Sequence, residues 1–301
     1  MDDARIFPWL PVGQADLAAL VDAPISKFEP LEGGFTNTLH KVALITGVVV
    51  VVKHYAGGKK AYRDEVATLR RLGGSLPVPE IVRTDDAKRA VVYKWIDGTT
   101  LDECRTKEPP AAFASLADPL GRLFAWVAST EPLDPKDRWD VTPLLANARA
   151  LLAGSRARER MGTPLTNALI AAYDKHGDRL GWGHQCLCHH DIGGRNVLVQ
   201  RANGDRWRIQ GVIDWESAGT GSPLVDLGSL FRYAPRYDEK FRVEFEQGYR
   251  EAGGVLPESW YLTARLIDSF RLIDTLDGLR EMPGVYHDCR MLLNKLVGEL
   301  K

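Results

Sequence analysis

The sequence has little cysteine and no long apolar run. Four cysteines among 301 residues are too few for the disulfide framework of a small secreted domain. No apolar stretch approaches the roughly 20 residues that cross a bilayer, and the valine run Val48–Val52 has the length of a strand. Residues 1–5 begin acidic and lack the apolar core of a signal peptide. These absences predict a protein of the reducing cytoplasm without a membrane segment.

An excess of charge of either sign is also absent. The chain has 39 basic and 40 acidic side chains, which leaves a net charge of −1. Such a balance gives no general electrostatic attraction to nucleic acids or anionic membranes, so neither is expected as a partner. Apolar residues make up 45% of the chain, which excludes intrinsic disorder, and the length predicts about two domains or lobes. The oligomeric state stays open.

Residues 1–96 alternate β-rich runs with short turns, a pattern typical of antiparallel hairpins. Within this region Val66, Leu69 and Leu72 recur at helical spacing between two glycine pairs, which predicts one main helix, Lys59–Leu72. The predicted strands are Ile25–Glu32, Thr38–Thr46, Val48–His54, Ile81–Thr84 and Ala90–Ile96. The sequence therefore predicts a small lobe with an antiparallel sheet and one main helix.

From Asp97 onward the pattern becomes mostly helical, which predicts an α+β protein divided into residues 1–96 and 97–301. One hairpin interrupts the helices, because two β-rich runs flank Asn203-Gly204, a dipeptide typical of tight hairpin turns. Its strands are predicted at Asn196–Gln200 and Trp207–Ile213. Helices are predicted at Ala111–Ser129, Thr142–Ala153, Thr163–Leu180 and from Leu224 to the C-terminus, with breaks near Pro235, Gly253-Gly254 and Pro283.

Polar residues are densest between His189 and Asn196. Asp191 and Asn196 stand five positions apart just before a predicted strand, and the next strand ends at Asp214. The hairpin between these strands can bring Asn196 and Asp214 together, where an amide oxygen and a carboxylate are suitable ligands for Mg²⁺. Asp191 would then orient or deprotonate a hydroxyl nucleophile, as phosphoryl transfer requires.

A site for phosphoryl transfer also needs a cation for the nucleotide phosphates. Lys53 ends the valine strand, and Glu65 on the following helix is its natural partner. Upstream, Gly33 and Gly34 stand in a turn between strands that also contains Asn37. Their backbone N–H groups could approach phosphates closely, because glycine has no side chain.

These residues resemble the aminoglycoside phosphotransferase family, which is related to choline kinase and shares the protein-kinase-like fold. The likeness extends from about Ile25 to Tyr233 and is strongest between His189 and Gly228. The strong motifs are His189-x-Asp191-x-x-x-x-Asn196 and Ile213-Asp214-Trp215 followed by Ala218, Gly221, Pro223 and Asp226-Leu227. The weaker ones are Gly33-Gly34-x-x-Asn37, Lys53, Glu65 and Trp95-Ile96-Asp97-Gly98.

The resemblance implies a bilobal fold, with a nucleotide-binding lobe at residues 1–96 and a catalytic and substrate-binding lobe at 97–301. It implies an enzyme that uses ATP and Mg²⁺ to phosphorylate a hydroxyl of a small molecule. Asp191 is then the catalytic base. The other implied roles are Mg²⁺ binding by Asn196 and Asp214, phosphate binding by Lys53 with Glu65 and the Gly33, Gly34 and Asn37 turn, and adenine contact by the backbone of Lys94, Trp95 and Ile96.

Two positions depart from the family pattern. His190 stands where the family commonly has glycine, and Ile192-Gly193-Gly194 replaces the usual His-Pro-Gly after Asp191. Both departures lie beside the expected acceptor, so the acceptors of the family are a weaker guide to the acceptor of this protein.

Two other functions are open to this kind of chain, a protein kinase and an inactive nucleotide-binding protein. Only twelve positions separate Asp214 from Asp226, and no Ala-Pro-Glu follows, so the peptide platform of a protein kinase is missing. An inactive relative is expected to lose one of the four residues Lys53, Asp191, Asn196 and Asp214, and this chain retains all of them.

The acceptor is predicted from the segment Trp260–Glu281, read as one helix. Asp274, Asp277 and Glu281 fall on the apolar face that contains Phe270, and buried acids need partners. A polycationic aminoglycoside would satisfy them and would imply antibiotic resistance. The alternatives are that this face reaches solvent or that Arg271 or Arg280 pairs with the acids. His190 and Glu216 are further acceptor candidates, and an amino alcohol, homoserine or a sugar are the alternative acceptors.

Overall fold

The computed structural model describes residues 5, 7–32, 36–202 and 206–300. The strands in this part of the chain are β1 (Ile25–Pro30), β2 (Thr38–Leu44), β3 (Val49–His54), β4 (Ile81–Asp85), β5 (Ala90–Lys94), β6 (Thr99–Thr100), β7 (Cys186–Cys188), β8 (Val197–Arg201), β9 (Trp207–Val212) and β10 (Gly219–Gly221). The helices are α1 (Gln14–Val21), α2 (Lys59–Leu72), α3 (Leu101–Lys107), α4 (Pro110–Ala114), α5 (Ala117–Ala128), α6 (Val141–Ala153), α7 (Arg156–Met161), α8 (Thr163–His176), α9 (Pro223–Leu230), α10 (Glu239–Glu251), α11 (Trp260–Asp277) and α12 (Pro283–Glu299).

The chain divides into two compact units. The first contains Met1–Glu108 and Arg195–Ala218, and the second contains Pro109–Gly194 and Gly219–Lys301. The predicted division into residues 1–96 and 97–301 stays a prediction. By contact, residues 97–108 and 195–218 belong with the first unit, because β6 pairs with β8 in a sheet of its own.

The first unit contains a five-stranded antiparallel sheet with the strand order β1-β2-β3-β5-β4. Val42, Val50 and Val52 point to one face of this sheet and pack with Leu17 and Leu20 of α1 in one apolar cluster. Successive side chains of a strand point to opposite faces of the sheet, so Lys53 of β3 lies on the face opposite to Val50 and Val52. The sheet predicted from the hairpin pattern is confirmed, and α1 is an addition to the predicted helix α2.

The second sheet of this unit has the order β6-β8-β9 and contains the predicted hairpin. Val197 pairs with Val212 in an antiparallel register, and the Val212 N–H donates to Pro77 O at 2.7 Å. The predicted turn residues Asn203 and Gly204 lie outside the described residues. The hairpin pairing brings the beginning of β8 beside the end of β9, as the sequence predicted.

The second unit is mostly helical and has an aromatic core. Phe231, Phe245 and Trp260 contact one another with ring centroids 5.1 to 6.1 Å apart. Helix α5 packs tightly on α10, where Gly121 lies against the backbone of Phe245. Among the described residues there is no helix with the length and apolar character needed to cross a membrane.

We expect Gly121→Ala to destabilise the second unit, because a Cβ on residue 121 would lie 2.0 Å from the Phe245 carbonyl oxygen. The two helices would have to separate, and overpacking of this kind costs about 1–3 kcal/mol. Gly298→Ala is the matched control, since nothing lies within 4 Å of a Cβ there, and it should be neutral or stabilising by at most about 1 kcal/mol. Urea unfolding measures both, and equal stability of the two variants would contradict this packing.

One predicted helix, Ala111–Ser129, is two helices in the structure. Helix α4 ends at Ala114 and α5 begins at Ala117. Pro119 has no N–H to donate to the carbonyl of Ser115, so the helix cannot continue through this turn. The same proline is acceptable in the first turn of a new helix, which is where α5 places it.

Two further helices end earlier than predicted. Helix α8 ends at His176 and continues only as a 3₁₀ turn, Gly177–Arg179, instead of an α-helix to Leu180. Helix α11 ends at Asp277, because the Gly278 N–H turns back to Thr275 O at 3.2 Å. Glu281 therefore lies beyond α11, and its predicted place on the face of that helix is wrong.

We expect the first unit to lose stability as the pH falls below about 6.5. His40 and His54 are buried, their Nδ1 atoms have no hydrogen-bond partner among the described residues, and burial lowers the pKa of both rings. Charge on His40 and Lys88 lowers the pKa of His54 further, while Asp16 and Asp85 raise it by smaller amounts.

The unfolded chain takes up protons near the ordinary histidine pKa of about 6.5 while the folded chain does not, so each histidine removes up to about 1.4 kcal/mol per pH unit below it. Urea unfolding at several pH values tests this for the wild type and for His40→Leu combined with His54→Leu. The exposed residue His287 gives the control variant, His287→Leu. If the double variant kept the wild-type pH slope, these histidines would not be its source.

Candidate active site

Lys53 is the buried centre of a charged cluster in the first unit. Its side chain is 4% exposed, and its Nζ lies 2.7 Å from Glu65 Oε2 and 2.6 Å from Asp214 Oδ1. Glu216 Oε2 is 3.3 Å from the same nitrogen. The predicted partnership of Lys53 and Glu65 is present, and the structure adds two further carboxylates to it.

Glu65 is held on the buried face of α2. It shares this face with Tyr62, Val66 and Leu69, because residues three and four apart lie on one side of a helix. The Tyr55 hydroxyl donates to Glu65 Oε2, and the Trp215 N–H donates to Glu65 Oε1 at 3.3 Å. Both carboxylate oxygens of Glu65 are therefore engaged.

The charges of this cluster do not balance. Three carboxylates surround one ammonium group, which leaves an excess of two negative charges when all are ionised. Burial alone would lower the pKa of Lys53, but Asp214 and Glu65 outweigh it and hold the pKa well above its ordinary value. Burial raises the pKa of Glu216, and Lys53 opposes this only in part. A bound divalent cation would neutralise the excess.

Asp214 follows β9 in a conformation that few residues adopt. Its φ of 68° lies in the left-handed region, which aspartate tolerates better than most side chains. The Ile213 N–H donates to Asn196 O at 2.9 Å, so the hairpin places Asn196 beside the residue that precedes Asp214. Trp215 then anchors the turn, since its fully buried ring donates to Val212 O at 2.8 Å.

The cluster offers the donor set of a metal site. Ligand oxygens of Glu65, Asp214 and Glu216 lie within 4.8 Å of one another, and among the described acids, cysteines and histidines no other group of three does so. Oxygen ligands of this kind suit Mg²⁺. Of the two predicted metal ligands, Asp214 belongs to this group, and Asn196 stands beside it in the hairpin.

Asn37, which directly precedes β2, contacts the same cluster. Its Nδ2 donates to Glu216, its Oδ1 accepts the Ala56 N–H at 3.3 Å, and its side chain is buried. Glu216, predicted as an acceptor residue, therefore lies with the residues predicted to serve the nucleotide. The predicted glycines Gly33 and Gly34 lie outside the described residues.

The segment predicted to contact adenine follows β5. The Lys94 N–H donates to Glu80 O at 3.0 Å and the Trp95 N–H donates to Val49 O at 3.2 Å. Within the described chain no partner is found for the Ile96 N–H, which leaves one backbone donor in the segment. Ile96 also packs on Gly211, where a Cβ would lie 2.8 Å from its side chain.

The loop that contains Asp191 follows β7 in the second unit. The N–H groups of His189 and His190 each donate to the buried carboxylate of Asp226 at 2.8 Å. The Asp191 N–H in turn donates to Nδ1 of the fully buried His189 ring at 3.2 Å. Asp226 and His189 therefore fix the backbone from which Asp191 projects.

His190 has a backbone conformation that favours glycine. Its φ is 65°, in the left-handed region that glycine adopts without cost. Its ring Nε2 lies 3.2 Å from Thr220 O, and burial lowers the pKa of the ring despite the nearby charge of Asp226.

Two arginines lie beside Asp191, and neither was expected from the sequence. Arg271 Nη1 is 3.3 Å from Asp191 Oδ1, and Arg232 Nη1 is 3.8 Å from it. Arg232 also forms a two-point pair with the buried carboxylate of Asp268 at 2.8 and 2.9 Å. The sequence suggests Arg271 only as a partner for the acids of its own helix. Its proximity to Asp191 depends on tertiary packing, which the sequence pattern does not reveal.

The three predicted acceptor acids have partners of their own. Asn147 Nδ2 donates to Asp274 at 3.2 Å, while Arg156 lies 3.7 Å from Asp277. Arg160 pairs with Glu281. Asp274 and Glu281 are exposed and Asp277 is half-buried, so the premise that they face the core is wrong. These partners come from α6, α7 and the residues near them, which sequence spacing within α11 could not reveal.

Comparison with known proteins agrees with this arrangement. A sequence model described as the phosphotransferase enzyme family (APH) matches residues 27–260. The match covers well over half of the chain, and the chain therefore belongs to this family. A search of curated proteins finds no relative.

Solved structures share the fold at low sequence identity. The GDP complex of an aminoglycoside 2′-phosphotransferase-IIIa has a TM-score of 0.75 and 17% identity, over 94% of this chain and 96% of that one. A macrolide 2′-phosphotransferase from Brachybacterium faecium has a TM-score of 0.67 and 17% identity, over 87% and 90%. A choline kinase from Streptococcus pneumoniae has a TM-score of 0.65 and 14% identity, over 95% and 97%.

These findings confirm the family, the α+β fold of the protein-kinase type and the class of enzyme, a phosphotransferase. They leave the predicted roles of the individual residues and the identity of the acceptor as proposals.

Proposed function

We propose that the protein transfers the γ-phosphoryl group of ATP to a hydroxyl group of a small molecule. The observation that carries this proposal is the Lys53 cluster, in which one buried ammonium and three carboxylates are held together. The arrangement suits a nucleotide with a divalent cation, since the cation offsets the excess negative charge. The nucleotide complexes among the similar structures support the same reading, one of them with GDP and another, an aminoglycoside phosphotransferase, with ADP.

In this proposal each residue of the first unit serves the nucleotide. Lys53 binds phosphate oxygens, and Glu65 holds the lysine side chain in place. The backbone of Lys94, Trp95 and Ile96 contacts the adenine base, with the Ile96 N–H as the donor. Asn37, with the turn that contains Gly33 and Gly34, contacts the phosphates.

Asp214 and Asn196 would hold Mg²⁺ in this proposal, and Glu216 offers a further oxygen ligand within 4.8 Å of the Asp214 carboxylate. When bound, the ion supplies positive charge that neutralises the phosphate oxygens during transfer. Glu216 thus belongs to the metal and nucleotide side in this proposal rather than to the acceptor.

Asp191 serves the acceptor. Its carboxylate orients the acceptor hydroxyl and takes up its proton as the oxygen attacks the γ-phosphorus. The new bond joins the acceptor oxygen to phosphorus, the bond to the bridging oxygen breaks, and ADP leaves. The backbone bonds from His189 and His190 to Asp226 keep the Asp191 loop in one geometry during this step.

The aminoglycoside acceptor, and with it a role in antibiotic resistance, stays a prediction. Its support is the gentamicin complex of a structure with the same fold, at 20% identity and a TM-score of 0.63. The arginine and asparagine partners of Asp274, Asp277 and Glu281 weigh against it, because these acids already have hydrogen-bond or charge partners. Amino alcohols, homoserine and sugars remain the alternative acceptors.

A coupled assay of ADP release tests the proposal. We expect ADP release from ATP and Mg²⁺ to rise at least about tenfold over the acceptor-free rate when the correct hydroxyl compound is added, because the acceptor replaces water at the base. The screen covers aminoglycosides, other antibiotics, amino alcohols, hydroxy acids and sugars. A protein that binds ATP but releases ADP at one rate with every compound would be no phosphotransferase for small molecules.

A further inference from the structure

Two arginines lie beside Asp191 in the second unit. Arg271 of α11 and Arg232, which follows α9, both approach the same oxygen, Oδ1, of this carboxylate. An acceptor whose hydroxyl lies at Asp191 therefore meets a guanidinium group in the immediate surroundings. Repulsion between like charges makes such surroundings unfavourable for a cationic group.

Of the two arginines, Arg232 is already neutralised. Its Nε and Nη2 donate to both oxygens of Asp268, at 2.9 and 2.8 Å, and the Asp268 side chain is 6% exposed. A pair with two parallel hydrogen bonds is the strongest arrangement between these groups, so Arg232 has little capacity for a further anion.

Arg271 is different, because much of its guanidinium group is available. Its side chain is 47% exposed, and Nη1 donates to His190 O at 2.7 Å and lies 3.3 Å from Asp191 Oδ1. In the described part of the chain, Nε and Nη2 of Arg271 have no hydrogen-bond or ion-pair partner. These two nitrogens present the planar pair of donors that matches the oxygens of a carboxylate or phosphate.

We infer that Arg271 binds an anionic group of the acceptor, and that the acceptor is a small molecule with a carboxylate or a phosphate close to the hydroxyl that is phosphorylated. The inference rests on the proposed function, because it places that hydroxyl at Asp191. The short distance from Arg271 to Asp191 sets the spacing, so the anionic group and the hydroxyl stand within a few bonds of each other. A polycationic acceptor would bring ammonium groups to the same guanidinium.

Matched acceptor pairs test the inference. The effect of a carboxylate is measured by comparing homoserine with homoserinol and glycerate with glycerol. The effect of a phosphate is measured by comparing glucose 6-phosphate with glucose. Gentamicin represents the polycations. We expect kcat/KM for an anionic member to exceed that of its neutral counterpart by about 10- to 100-fold, the usual worth of a charged hydrogen-bonded pair. If the carboxylate pairs show this preference, the anionic group of the acceptor is a carboxylate, and if the phosphate pair shows it, the group is a phosphate.

The variant Arg271→Gln separates binding from a structural role. We expect it to lower kcat/KM for the anionic acceptor about 10- to 100-fold more than for the neutral counterpart, with the difference mainly in KM. Arg179→Gln is the control for loss of an exposed arginine in the same unit, and it should match the wild type. Circular dichroism and thermal melting confirm that both variants fold.

Several outcomes would overturn the inference. Preference for neutral acceptors or for gentamicin would contradict it while leaving the proposed function intact, provided that turnover still depended on Asp191. An equal loss for both members of a pair in Arg271→Gln would mean that Arg271 positions Asp191 instead of binding the acceptor. ADP release that no acceptor stimulates would refute the proposed function, and this inference with it.

Discussion

We expect Asp191→Asn to lower kcat by about 10²- to 10⁴-fold, the usual range for loss of a general base. Asparagine keeps the shape of the side chain and one acceptor oxygen, but it has no negative charge and cannot take up the proton of the hydroxyl. Asp226 and His189 hold the loop through its backbone N–H groups, which this substitution leaves in place. Acceptor phosphorylation measures the loss.

Nucleotide binding provides the second half of this experiment. In the proposal ATP is bound by Lys53 and its cluster, so Asp191→Asn should change the Kd for ATP by less than about threefold. Lys53→Ala should instead weaken ATP binding. The exposed residue Asp174, which pairs with Arg149, gives the control variant Asp174→Asn, with wild-type kinetics expected. Wild-type turnover in Asp191→Asn, or loss of ATP binding as its main defect, would exclude this aspartate as the base.

Asp214→Ala should reduce turnover at least about 10³-fold, because charge neutralisation by a bound metal contributes several kcal/mol to the transition state. Asp214→Asn should lose a similar amount, and it avoids strain because asparagine tolerates the left-handed φ of 68° at this position. Lys53 keeps Glu65 and Glu216 as partners in both variants, so the fold should remain intact.

The metal itself is tested in parallel. Activity of the wild type should disappear in EDTA and return with excess Mg²⁺, and Mg²⁺ alone should bind weakly, since this ion keeps its waters and relies on substrate phosphates. Asp64→Asn is the control, because Asp64 pairs with the exposed Lys60 in the same unit and lies outside the proposed site. Undiminished activity in EDTA would argue decisively against a metal-dependent mechanism.

Much of the first unit can be predicted because its signals are local. Helix α2 is predicted with its observed bounds, Lys59–Leu72, since the apolar spacing and the flanking glycines coincide. The pairing of Lys53 with Glu65 follows from the same elements, because a strand end and the next helix are neighbours in sequence. The hairpin β8–β9 is also predicted from local signals, which are its two β-rich runs and the turn residues between them. This hairpin brings Asn196 near Asp214.

Other boundaries also have local signals in the sequence. Thr100 and Glu103 form the capping box that begins α3, and Ser155 caps α7 through the Ala157 N–H at 3.1 Å. Both patterns are readable in sequence. Pro119 likewise marks the break between α4 and α5.

The contacts around Asp191 could not be predicted from the sequence. Asp226, Arg232 and Arg271 reach its loop across 36 to 81 positions of chain, a relation that depends on how α9 and α11 pack in the second unit. The partners of Glu281 and Asp277 are equally remote in sequence. Spacing within one helix identifies which residues share a face, and it says nothing about which other element supplies the opposite charge.

The most direct test of the central claim is the fate of the γ-phosphate. With ATP labelled at the γ-position, Mg²⁺ and a stimulating acceptor, the account predicts one phosphorylated acceptor for each ADP formed by the wild type. Asp191→Asn and Asp214→Ala should form neither product above background. Release of the label only as inorganic phosphate, or labelled acceptor in equal amounts from Asp191→Asn and the wild type, would contradict the account.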